Sequence, residues 1–420
     1  MNKWTNEEVA QLKSLLKEGH TQDYIAGQLN RTQKAVERKI QGLSLTKQKG
    51  TPKAASYSED KAAATEAHWK DQYDALHRKY KQALKDAALT EKLVEEVKEI
   101  APLSYQTAPV VTRPRKRSTG RPQSAVLLLS DTHIGKVTDE GQTLGFSRYN
   151  FNTFLNRLKY VEDSVTSILR DHVNTEVPEL VIPILGDMLD GALAHGVEGG
   201  LRNTLFTQFY AGGHALAQFL RNLSAHVPKI RIHTVVGNHT RYQNQRRMPT
   251  ENRFSNFDQF LYAYLEALTS DIKNIEWSLN QQPFQIFQIQ GFTFHASHGD
   301  HWRGGDKALG IPNHAIGRQI STTTQLFSKH GAQCPHYYVT GHLHRSITLP
   351  HALGEVMVNG GFPGLDNYSL AENFNPVDPI QRFFFVHPKY GRSATYDLTL
   401  KYAEDRGEPP YKVPFDFPVE

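Results

Sequence analysis

The sequence predicts an α/β protein: a layered domain of strands alternating with amphipathic helices, preceded by a small three-helix module and a long helix. Three observations predict it. Five short apolar runs each stop abruptly at Asp, Asn or His, usually beside a Gly. Stretches with helical periodicity lie between them, and the N-terminal part opens with three short helical segments.

The first module spans residues 1–45. In Trp4-Thr-Asn-Glu-Glu8, Thr5 can cap a helix, Glu8 completes a capping box and Trp4 can staple onto Val9. Leu12, Leu15 and Leu16 supply an apolar face up to Gly19. A second helix runs from Thr21 through Ile25, Ala26 and Leu29, and a third from Thr32 with Val36, Ile40 and Leu43 inward. On the third, Lys34, Arg38 and Gln41 fall opposite the core, where a recognition helix presents side chains to a DNA groove. These three helices resemble a Myb/SANT or helix-turn-helix module, a class that includes protein-binding as well as DNA-binding members.

Residues 46–58 read as a linker of Lys, Thr, Pro, Gly and Ser. A long helix is expected over 59–100, where Trp69, Tyr73, Leu76, Tyr80, Ala83, Ala87, Thr90, Val94 and Val97 recur at heptad spacing. That stripe fits either a homodimeric coiled coil or one helix lying on a domain. Residues 101–123 form a basic, Pro-rich linker containing Arg113-Pro-Arg-Lys-Arg. The large domain is placed at 124–405 and a Pro-rich tail at 406–420.

Within that domain, Val126-Leu-Leu-Leu129 is the run expected of a strand buried on both faces, and Ser-Asp131-Thr-His133 follows it. Residues two apart in an extended chain share a side, so one carboxylate and one imidazole can reach a single cation. Leu180–Leu185 ends in Gly186-Asp187-Met-Leu-Asp190, and Ile230–Val236 in Gly237-Asn238-His239. Phe292–Ala296 ends in Ser297-His298-Gly299-Asp300, and His336–Thr340 in Gly341-His342-Leu-His344. Helical segments are expected over Tyr149–Leu169, Asn203–Leu223 and Phe257–Leu268, with further strands at 355–361, 383–387 and 394–400.

Asp-x-His, Gly-Asp-x-x-Asp, Gly-Asn-His, a lone His and Gly-His-x-His, in that order, resemble the calcineurin-like metallophosphoesterases over roughly residues 125–399. The resemblance implies a sandwich of mixed β-sheets flanked by helices. It further implies one metal on Asp131, His133, Asp187 and His344, a second on Asp187, Asn238, His298 and His342, and His239 as general acid. Protein phosphatases of this superfamily carry an Arg after the second motif, whereas here Gly191-Ala192 follows Asp190. The chain looks more like the branch of double-strand-break nucleases and phosphodiesterases. In that branch an Asp usually follows Gly-Asn-His; Thr240 stands here, so the group that orients His239 is not identified by sequence. Arg241, Arg246, Arg247 and Arg303 are candidates to hold a phosphate backbone.

Composition narrows the chemistry. Cys334 is the single cysteine, which excludes an internal disulfide and a thiolate metal cluster, while 20 His are available. His, Asp and Asn donors suit two divalent ions, Mn foremost, with Fe, Zn or Mg as alternatives. Residues 1–125 carry 23 Lys+Arg against 15 Asp+Glu, net +8, and the remainder is net −3. That asymmetry favours a polyanion such as DNA as partner of the first part. Without an apolar leader or a long apolar run, the expectation is a cytoplasmic protein with no membrane partner. The leading expectation is a DNA nuclease. A phosphatase of DNA ends, nucleotides or proteins is the second, and a non-catalytic DNA-binding regulator on the same scaffold the third.

Overall fold

Runs of Val, Ile, Leu and Phe too short for helices become two mixed sheets in the computed structural model, which describes residues 4–43, 120–191, 205–241, 256–280, 282–302, 311–371 and 376–413. The chain divides into two units, Met1–Ala101 and Pro102–Glu420. The expected long helix over 59–100, the linker 46–58 and most of the linker 101–123 lie outside the described residues, as do Arg246, Arg247 and Arg303.

In the first unit, α1 (Asn6–Lys17) follows the expected cap at Thr5, and α2 (Gln22–Gln28) and α3 (Gln33–Gly42) begin where expected, with Thr21 and Thr32 as their N-caps. The Thr5–Glu8 capping box is present on both sides. Leu12, Ile25, Ala26, Leu29, Val36 and Ile40 form the core, and Trp4 packs on it half-buried, with the Arg31 guanidinium 5.3 Å from its ring. Arg31 also bonds Glu8, tying the start of α1 to the α2–α3 turn. Lys34, Arg38 and Gln41 are exposed on α3, opposite Val36 and Ile40.

In the second unit, β1 (Ser124–Leu127), β2 (Leu180–Ile184), β3 (Ile230–Thr234) and β4 (Ile275–Ser278) run parallel. β10 (Ile380–His387) and β11 (Gly391–Thr399) extend that sheet antiparallel, in the order β11-β10-β1-β2-β3-β4. The second sheet is β5 (Gln285–Ile289), β6 (Phe292–Ala296), β7 (Tyr337–Thr340), β9 (Gly354–Val358) and β8 (Ile347–His351), with β6, β7 and β9 parallel. Val126, Leu128, Val181 and Leu185 from one sheet meet Phe294, Ala296, Val339 and Met357 from the other in one core. Burial on the facing sides is what the alternating pattern requires of a sandwich.

Helices α4 (Phe151–Ser167), α5 (Leu205–Ser224) and α6 (Phe257–Leu268) occupy the expected positions. The strands β4, β5 and β8 and the helix α7 (Asn313–Lys329) were not foreseen; β4 and β8 are half-exposed and lack a continuous apolar run. The tail is docked as far as it is described: Tyr411 is buried and its hydroxyl donates to Glu162 on α4. Among the described residues no helix is long and apolar enough to cross a membrane.

Parallel strands place their C-terminal ends on one side, and the loops leaving that side are where open α/β sheets gather functional groups. The motifs follow β1, β2 and β3 in one sheet and β6 and β7 in the other, so the sandwich brings all five to a common edge.

Candidate metal centre

The backbone at these strand ends is unusual. Asp131, His133, Asp187, His342 and His344 all have positive φ, between 43° and 67°. A non-glycine residue in this region costs about 1 kcal/mol or more, so five of them persist only where the surroundings impose them. Close glycines make room: a Cβ on Gly237 would overlap the Asp187 carboxylate, and one on Gly341 would overlap that of Asp131.

Hydrogen bonds between motifs impose the conformation. Asp131 accepts the His342 N–H at 3.0 Å, joining the first motif to the fifth across the sheets. The Oδ1 of Asp187 accepts the N–H of Asn238 at 2.6 Å and of His239 at 2.9 Å. Its Oδ2 is left facing His298 Nε2 at 3.0 Å. Beneath them lies buried Asp258, at the start of α6, which accepts from the N–H groups of Asp187, Met188 and Gly237. Burial and the nearby Asp187 push the Asp258 carboxyl up to about 6, although those donors work in the other direction. Thr132, between the two residues of the first motif, donates to the Met188 carbonyl and accepts from the Tyr149 hydroxyl through its own carbonyl.

Three groups of donor atoms result. Asp131, His133 and His344 form one, Asp187, His298 and His342 another, and His133, Asp187 and His239 a third, each within 4.8 Å. Asn238 Oδ1 is 3.1 Å from His298 Nε2 and belongs beside the second. All seven residues assigned to metals by sequence are thus brought together, with Asp187 shared between groups.

Tautomers decide whether this set fits cations. His298 donates Nδ1–H to the Leu185 carbonyl at 2.7 Å, which leaves its Nε2 lone pair facing the oxygens of Asp187 and Asn238. His133 Nδ1 is 3.1 Å from Asp190 Oδ1, so the Nε2 lone pair of His133 faces His344 Nε2 at 3.1 Å. Acceptors converging on acceptors repel one another unless positive charge lies between them. The pocket recruits such charge: burial alone would lower the His298 ring, yet the Asp187 carboxylate outweighs it and holds the ring at about 10. His133 and His342, where burial prevails, are held down to about 4 and stay neutral, the form in which imidazole ligates a metal. The donor set fits hard or borderline divalent cations.

His239 is differently placed. Burial would lower it, but Asp187 and Asp190 raise it to about 9, so it carries a proton at neutral pH. Its Nδ1 lies 3.1 Å from the Asp190 carbonyl and 3.6 Å from the Asp190 carboxylate. Asp190 is the orienting group that sequence reasoning did not assign, although it stood in view within Gly-Asp-x-x-Asp. Thr240, where an Asp was expected, instead donates to Asn256 Oδ1 at 2.5 Å and braces the loop from below. Arg241 is ion-paired with Asp300 of the fourth motif, which links the third and fourth loops. Asp258 had no local signal, being about 70 residues from the loop it grips.

Fold and site together define a layered α/β protein with a buried carboxylate and imidazole cluster at the strand ends. No protein-family model and no curated protein matches the chain. Among solved structures it is similar to a novel archaeal phosphodiesterase, at 11% identity and TM-score 0.30, over 65% of this chain and 99% of that one. A hypothetical protein from Pyrococcus horikoshii matches at 8% identity and TM-score 0.33, over 65% and 87%. Zinc-complexed Vps29 from Entamoeba histolytica matches at 10% and 0.28, over 65% and 99%.

Two substitutions test the construction of the centre. Asp187→Asn keeps an oxygen for the two backbone N–H groups but turns an amide toward His298 and removes the shared charge. Elemental analysis after metal loading should find fewer ions per chain than in the wild type, and equal loading would reject Asp187 as a shared ligand. Asp258→Asn places amide hydrogens against backbone donors that need an acceptor, and should cost about 1–3 kcal/mol. Urea denaturation of the metal-free protein reads that loss; an unshifted midpoint would remove Asp258 from the scaffold.

Proposed function

We propose that the chain is a dinuclear metal-dependent phosphoesterase of the calcineurin-like kind, hydrolysing phosphodiester bonds in DNA. The observation that carries this reading is the gathering of the donors at one edge, with His133 common to the Asp131–His344 and Asp187–His239 groups and Asp187 common to the latter and the His298–His342 group. Asp131, His133, Asp187 and His344 would hold one ion, and Asp187, Asn238, His298 and His342 the other. Mn is the first choice, and Fe, Zn or Mg suit the same donors. When bound, such a pair offsets charge on the phosphoryl oxygens and activates the attacking water.

The chain's own residues supply the rest. His239 carries the proton that the leaving ester oxygen needs, on Nε2, because Nδ1 is committed to Asp190. Asp190 orients two rings at once, His133 and His239, and so fixes the acid relative to a metal ligand. Near-complete burial of Asp131, Asp187 and His298 keeps bulk water from screening these charges.

DNA as the substrate rests on the N-terminal unit. That unit is net +3, the basic linker after it brings residues 1–125 to +8, and Lys34, Arg38 and Gln41 stand exposed together on α3. In this reading the module delivers the substrate, Arg241 with Arg246, Arg247 and Arg303 contacts its phosphates, and the heptad stripe over 59–100 pairs two chains.

Leaving-group dependence tests the acid. His239→Ala should retain metal and lose rate most on esters with poor leaving groups, since p-nitrophenolate departs without a proton. Equal losses on good and poor leaving groups would assign His239 another role. The delivery reading is tested by Lys34→Ala with Arg38→Ala in the full chain. Losing two phosphate contacts should flatten the slope of log affinity against log salt by about 2. Parallel slopes on one labelled duplex would contradict it.

A further inference from the structure

Beside the metal centre lies a second, unassigned cavity of about 390 Å³. Its wall includes Phe284, His295, Trp302, Arg318, Gln319 and Thr322. Alternation along β6 explains where it sits. Phe294 and Ala296 point into the core between the sheets, so His295 and Ser297 face the other side, toward α7. Ser297 lines the cavity and the next residue, His298, belongs to the metal centre. β6 ends at Ala296, and the chain turns sharply there, with Trp302 N–H donating to the Gly299 carbonyl at 2.9 Å. The cavity and the metal donors therefore flank the same strand end.

The lining is mostly apolar, with aromatic planes and a few polar groups in a fixed arrangement. Phe284 stacks on His295, with centroids 4.7 Å apart and planes at 22°. Gln319 is the hub: its Oε1 accepts from the Trp302 indole, and His301 Nε2 lies 3.1 Å from the same oxygen. An indole N–H only donates, which fixes the amide orientation and turns the Gln319 NH2 toward His295 Nε2, at 3.4 Å. His295 then carries its hydrogen on Nδ1, a buried atom that meets no acceptor on another residue among the described residues. Exposed Arg318 adds positive charge to the wall.

We infer that this cavity is a base subsite, taking the nucleobase of a nucleotidyl ester whose phosphate lies at the metal centre. The inference rests on the phosphoesterase reading. A base matches the site in two ways: a flat ring for the aromatic wall, and an attached phosphate that reaches the neighbouring donors.

The test uses full-length protein with Mn²⁺ and two esters sharing one leaving group, the p-nitrophenyl ester of thymidine 5′-monophosphate and methyl p-nitrophenyl phosphate. Stacking of the base should give the nucleotidyl ester an advantage of roughly five- to a hundredfold in kcat/KM. Thr322→Trp, a change at an exposed position of α7, fills the cavity and should collapse that ratio toward one. Phe284→Leu, which removes the stacking plane while keeping apolar volume, should reduce it as well and serves if the Trp variant does not fold. Equal kcat/KM for the two esters in the wild type, or a ratio untouched by these variants, would overturn the subsite. If neither ester is hydrolysed, the phosphoesterase reading fails separately. Equilibrium dialysis with thymidine 5′-monophosphate then decides the cavity: saturable binding lost in the variant supports it, and absent or unaltered binding rejects it.

Discussion

Two buried aspartates converge with imidazole lone pairs at the end of a sandwich, and the rest of the second unit is arranged around making that tolerable. Asp131 and Asp187 are almost entirely removed from water. Neither carboxylate could stay charged there without compensation. Part of it comes from backbone N–H groups of other motifs, His342 for Asp131 and Asn238 with His239 for Asp187. The remaining oxygen of Asp187 faces His298, whose second nitrogen is committed to the Leu185 carbonyl. Left-handed backbone at five site residues is the conformational cost of pointing these groups inward, and the Asp258 carboxylate beneath the loops holds it in place.

Such an arrangement has a division of labour within the second motif. Asp187 gives one oxygen to backbone and one to the centre, whereas Asp190 works outward, on the rings of His133 and His239. One loop thereby sets a shared carboxylate, the orientation of a ligand and the protonation of an acid. The Asp187 and Asp190 carboxylates together allow His239 to remain charged at a depth where burial pushes His133 and His342 toward neutrality.

Much of this was legible in the sequence because its signals are local. Apolar runs that stop at Gly-Asp or Gly-His carry their own strand, turn and donor, so the five motifs and seven donors could be read without knowing the sheet order. The helices capped by Thr5, Thr21, Thr32 and Asn256 were equally local and all four were anticipated, although only Thr5 was read as a cap. What escaped was long-range or weakly patterned. Asp258 acts on backbone far away in sequence, the half-exposed β4 and β8 lack an apolar run, and α7 buries only Ile316 and Thr323 fully. The cavity beneath α7 was invisible for the same reason: Phe284 and Gln319 acquire meaning only when β6 and α7 bring them together.

The central claim is that one carboxylate serves two cations. Electron paramagnetic resonance of the metal-free protein titrated with Mn²⁺ tests it most directly, because two Mn²⁺ ions sharing a ligand couple magnetically and isolated ions do not. The account predicts two ions per chain and a coupled spectrum that develops as the second site fills. A single bound ion, or two ions giving only the signal of isolated Mn²⁺ at saturation, would contradict it.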